Sequence, residues 1–114
     1  MPTMATEKDI AFSVYILKLT EEGKLKWEPT ARGNEFTASL KGKYSVVLRK
    51  GFPGRFIAAE GDPEYDLRLL DENEQELVRL TENENAYIVQ LFDLARRSSL
   101  NVDAIIDEIL RDPL

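Results

Sequence analysis

Asp62, Glu64 and Asp66 fall within one short stretch, and a spacing of two puts Glu64 and Asp66 on one face of an extended strand. Paired carboxylates can hold Mg²⁺ or divide acid and base work between them. A little further on, Asp71, Asn73, Gln75 and Glu82 stand at the first, third, fifth and twelfth positions of a calcium-loop spacing. The glycine that such a loop needs for its sharp turn is replaced by Glu76, and alternating rather than helical sequence flanks the segment, so turn residues of an exposed hairpin explain the same letters. No nucleophile accompanies either group. Gly51-Phe52-Pro53-Gly54 lacks the lysine and serine of a phosphate-binding loop. The chain of 114 residues has no histidine and no cysteine, which removes the usual general base, the commonest metal ligand, thiolate chemistry and disulfides. The expectation is a protein that is not an enzyme, with no catalytic residue, no cofactor and no metal.

Charge is the more informative feature. Between Phe36 and Ala59 lie five cations (Lys41, Lys43, Arg49, Lys50, Arg55) and no acid, whereas the whole chain is at −6 and residues 60–114 alone carry −10. Such asymmetry within one small domain marks a surface with a purpose. Tyr44, Phe52 and Phe56 are interleaved with the cations. Cations beside aromatic rings can track phosphates while the rings stack on bases of a single strand, and the same surface can meet an acidic protein. The plainer explanation is a solvated sheet face whose aromatics point into the core. The strongly acidic remainder would repel a polyanion unless it occupies another face.

Two further places could make contacts. Residues 50–63 form a long loop punctuated by Gly51, Pro53, Gly54, Gly61 and Pro63, yet it contains Phe52, Phe56 and Ile57, which either anchor it to a sheet edge or greet a partner. Trp27, with Leu25, is either a core plug or, on an edge strand, a dimer contact. The surrounding stretch Leu19–Pro29, LTEEGKLKWEP, resembles a segment of small uncharacterised bacterial α+β proteins. That resemblance implies a similar layout of strands and C-terminal helices and brings no functional residue with it.

These residues must be positioned by elements that the periodicity outlines. Thr6 and Asp9 have capping-box spacing, Gly23 suits a helix stop, and a helix from about Glu7 would carry two apolar stripes, Ile10-Val14-Leu17 and Phe12-Ile16-Leu19. Such a helix is buried between layers or shared with a partner, and the rival reading is a strand over Phe12–Leu19. From Lys24 the period becomes two, with Leu25 and Trp27 on one side and Pro29 ending the run. Phe36-Ala38-Leu40 and Tyr44-Val46-Leu48 alternate about the Lys41-Gly42-Lys43 turn, and Tyr65-Leu67-Leu69 and Leu77 to Leu80 repeat the pattern about Asp71–Gln75. Thr81 and Glu84 read as a capping box opening a helix with the stripe Ile88, Leu91, Phe92, Ala95. Asn101 reads as the cap of a last helix whose Val102, Ile105, Ile106 and Ile109 face inward.

The predicted architecture is α+β: an N-terminal helix, an antiparallel sheet of about five strands (two hairpins plus a short strand), and two covering C-terminal helices. Residues 1–114 read as a single domain with 1–5 frayed. The run from Ile10 to Leu19 is too short to cross a bilayer and lacks the basic leader and cleavage site of a secretion signal, so no membrane partner is expected and the composition fits the cytoplasm. The expected role is a non-catalytic, regulatory module that binds another macromolecule, foremost a protein, with a homodimer among the candidates. Lys41, Lys43, Arg49, Lys50 and Arg55 would supply charge, and Phe52, Phe56 or Trp27 the apolar anchors. The alternative is a nucleic-acid-binding regulator that uses the same basic 41–55 hairpin and loop.

Overall fold

Thr6 closes a reciprocal cap at the start of the first helix. Its Oγ1 accepts from the Asp9 N–H at 3.1 Å, and Asp9 Oδ2 accepts from the Thr6 N–H at 3.1 Å. The structure is a computed structural model that describes residues 5–51 and 63–111. From this cap α1 runs Glu7–Glu21 and stops at Gly23, whose φ of 70° only glycine adopts without strain. Both apolar stripes reach the core, Leu17 of the first as well as Phe12 and Leu19 of the second, and Ile10 is half-buried. Ile16 is fully buried and Phe12 and Leu19 are half-buried, while Val14 is 50% exposed. Ala5, expected to fray, is half-buried against the core.

The alternating segments form five strands: β1 (Glu28–Pro29), β2 (Glu35–Leu40), β3 (Tyr44–Lys50), β4 (Tyr65–Leu70) and β5 (Glu76–Thr81). Each pairs antiparallel with the next, so the sheet is a meander in chain order. β1 is shorter and later than Lys24–Glu28, because only Glu28 and Pro29 reach the edge of β2. Proline is tolerated there because an edge residue need not donate to a further strand. At the β2–β3 tip, Lys41 and Gly42 have φ of 54° and 74°, and the Lys43 N–H donates to the Leu40 carbonyl at 3.2 Å. Asp71 builds the β4–β5 turn by accepting the Asn73 and Gln75 N–H groups at 2.8 and 2.9 Å.

Two helices follow, α2 (Tyr87–Ser99) and α3 (Val102–Arg111). The start of α2 differs from the expected Thr81–Glu84 box. Thr81 is still paired with Asp66 as the last residue of β5, and its hydroxyl donates to the Glu84 carboxylate, closing a turn instead of a helix. The true start is set by Asn85, whose Oδ1 accepts the Tyr87 N–H at 3.0 Å while its Nδ2 donates to Ser13 Oγ at 2.8 Å, tying α2 to α1. Asn101, with φ of 53°, ends α2 in the left-handed region, and its carbonyl accepts from Ile105 to begin α3.

One face of the sheet carries the core. The cross-strand row Phe36, Leu48, Leu67, Leu80 and the neighbouring Ala38 and Val46 are all at most 4% exposed. Ile88, Leu91, Phe92 and Ala95 of α2 and Ile16 of α1 are buried in the same cluster, and the Phe92 ring meets Phe36 and Tyr65 edge-on at 5.5 and 5.4 Å. Burying each large side chain here contributes about 1.5–3 kcal/mol. α3 packs on α2 alone among the main contacts between elements, and none of its residues is buried. The inward orientation expected for Ile105, Ile106 and Ile109 is therefore not found: they are 50%, 41% and 63% exposed.

Candidate functional site

Among the described residues the basic side chains do not converge. Lys41 and Lys43 are exposed at the β2–β3 tip, with Lys43 Nζ 5.1 Å from the Tyr44 ring centre. Arg49 and Lys50 lie at the other end of β3, roughly 20 Å away at the rise of an extended strand. Alternation then sends Arg49 and Lys50 to opposite faces of the sheet. Lys50 Nζ lies over the Tyr65 ring at 5.6 Å. Phe52, Arg55 and Phe56, with Asp62, lie outside the described residues.

Arg49 belongs to a polar row that sequence reading missed. The register sets Glu35, Arg49 and Asp66 side by side on the face away from the helices, and the Arg49 guanidinium donates to Asp66 Oδ2 at 2.7 Å. The Asp66 side chain is wholly buried and that of Arg49 only 13% exposed. Next to them Arg68 Nη2 lies 3.8 Å from Glu35 Oε2, whose other oxygen accepts the Thr30 hydroxyl at 3.1 Å. A buried carboxylate needs such a counter-charge, so Arg49 is committed to the fold rather than offered as a surface cation. The only sequence signal was an acid and a base seventeen residues apart, which means nothing until the register is known.

Trp27 is likewise a core residue. It is 3% exposed, and its indole N–H donates at 3.0 Å to Thr20 Oγ1, which donates onward to the Ile16 carbonyl at 2.8 Å. It cannot be the edge-strand dimer contact, because α1 already covers it. The calcium-like spacing dissolves too. Asp71 serves its own turn, and the Glu82 carboxylate accepts the Glu64 and Tyr65 N–H groups at 2.8 and 3.1 Å. Glu64 and Asp66 do not pair on one strand face: Glu64 is exposed and precedes β4, while Asp66 is buried within it. Among the described residues no group of three potential ligands is placed to hold a metal ion.

What the fold does present is α3. Val102, Ile105, Ile106, Ile109 and Leu110 recur at the three- and four-residue spacing of one helix face, and Leu110 is 73% exposed. Isolated exposed aliphatics are normal on a protein surface; a continuous stripe on a helix that projects from the core is not. Its root is held by the Arg97–Asp103 ion pair at 2.5 Å, above a shallow groove of about 340 Å³ lined by Thr20, Glu21, Ser98 and Ala104 among others. The stripe is edged by acids: Asp103 and Asp107 along one side, Glu108 along the other. The periodicity identified Val102, Ile105, Ile106 and Ile109, although it placed them in the core, and it missed Leu110.

Among the described residues no helix is long and apolar enough to cross a membrane. The chain matches no protein-family model, and no curated protein or solved structure shows significant similarity to it.

Proposed function

We propose that this chain is a non-catalytic protein-binding module of the cytoplasm and that its contact surface is the apolar face of α3. The observation that carries the reading is the set of four large aliphatic side chains, Ile105, Ile106, Ile109 and Leu110, left 41–73% exposed on one helix. Amphipathic helices of this pattern bind by laying their apolar face into a partner's groove, with anchors at three- and four-residue intervals. Burying that face gains more than solvating it, at about 25 cal/mol per Å² of apolar surface. The basic hairpin supports the nucleic-acid alternative less well than its composition suggested. Arg49 is neutralised by Asp66, and Lys41 and Lys43 stand far from Lys50.

The test is affinity capture from the cells that carry the protein, with and without nuclease, using three forms of the chain. Wild type and Lys41→Glu/Lys43→Glu are expected to retain the same nuclease-resistant protein, and Ile105→Asp/Ile109→Asp to lose it. Capture that nuclease abolishes, or that falls steeply with salt and with the lysine reversal, would transfer the function to a polyanion.

A further inference from the structure

The acids along the α3 stripe select its occupant. Two α3 helices laid against one another would bring acidic edge to acidic edge, which disfavours that pairing. A complementary surface must offer apolar side chains and cations together. The outer face of α1 does so: Lys8, Ala11, Val14, Tyr15 and Lys18 recur at three- and four-residue spacing, and all are exposed, Val14 at 50% and Tyr15 at 55%. Lys8 and Lys18 pair with no carboxylate among the described residues, and Asp107 and Glu108 pair with no cation. Glu7 and Glu21 close the two ends of the α1 face, so an acidic helix must cross its middle, where Val14, Tyr15 and Lys18 lie.

We propose that two copies of this chain exchange their C-terminal helices, the α3 stripe of each docking on the outer face of α1 of the other. The inference rests on the protein-binding reading and names its partner as a second copy. The two contacts are related by a two-fold axis, so the assembly closes at two chains instead of growing into a filament. Each contact joins apolar residues of the two helices while Lys18 meets the acids beside the stripe. Within one chain this contact is not made, since both faces are open to water.

Sedimentation equilibrium of the full chain tests the exchange. The expected mass is twice the 13.0 kDa of one chain at concentrations of about 100 μM. Ile105→Asp/Ile109→Asp should abolish association, because it places charges in the centre of the contact. Lys18→Glu should weaken association about tenfold, and Lys18→Glu/Asp107→Lys should restore most of it. All substituted positions are exposed, and circular dichroism of each variant checks that the fold is kept. A 13.0 kDa species alone, or a dimer indifferent to Lys18→Glu, overturns the exchange. If the monomer still captures a nuclease-resistant protein through α3, exchange fails and the protein-binding reading stands. If capture is also independent of α3, both fall.

Discussion

Replacing Trp27 by alanine is expected to cost about 3–5 kcal/mol, a large part of the stability of an ordinary small domain. The indole is enclosed where the end of α1 meets the sheet edge, so its removal leaves a large cavity. Trp27→Phe should cost only about 1–2 kcal/mol. It keeps most of the volume and loses one hydrogen bond, and the Thr20 hydroxyl retains its bond to Ile16. Urea unfolding followed by circular dichroism measures both, since the chain has no other tryptophan to report by fluorescence. A cost below about 1 kcal/mol for Trp27→Ala would return this residue to the surface and reopen it as a contact.

The second large effect belongs to the buried pair on the opposite face of the sheet. Arg49→Met takes from Asp66 the guanidinium that compensates its charge, in a position with no access to water, and should cost about 3–5 kcal/mol. The double replacement Arg49→Met/Asp66→Leu should recover nearly all of it, because an apolar pair of similar volume has no charge to desolvate. The double-mutant cycle reads the coupling directly. If Arg49→Met costs less than about 0.5 kcal/mol, the pair is screened by solvent, and Arg49 rejoins Lys41 and Lys43 as a surface cation. The same cycle warns that reversing Arg49 in a binding assay would report unfolding, not lost contact.

Much of this architecture is legible without coordinates because it rests on local rules. Phe36-Ala38-Leu40 against Tyr44-Val46-Leu48 needs only a period of two and a glycine-containing turn, and the Thr6–Asp9 cap needs only its spacing of three. The start of α2 was misread for an equally local reason: Thr81 and Glu84 bond to each other in a turn as readily as they cap a helix. Arg49 reads as a surface cation, and Trp27 stays open between core plug and edge contact, because their partners are remote or in a different element, Asp66 through strand register and Thr20 through the return of the chain past α1. α3 shows a deeper limit. Its periodicity says which side of the helix is apolar, but whether another element covers that side is a property of the assembled shape.

Hydrogen exchange along the chain as its concentration is raised is the most direct test of α3 as the contact between two copies of the chain. A ten-residue helix held mainly by α2 is marginal by itself, so the amides of Val102–Arg111 should exchange fast in dilute solution. They should slow as chains associate, while the amides of the β2–β3 tip at residues 41–43 keep one rate throughout. Protection of 102–111 that does not depend on concentration, or slowing confined to the basic tip, would contradict the account.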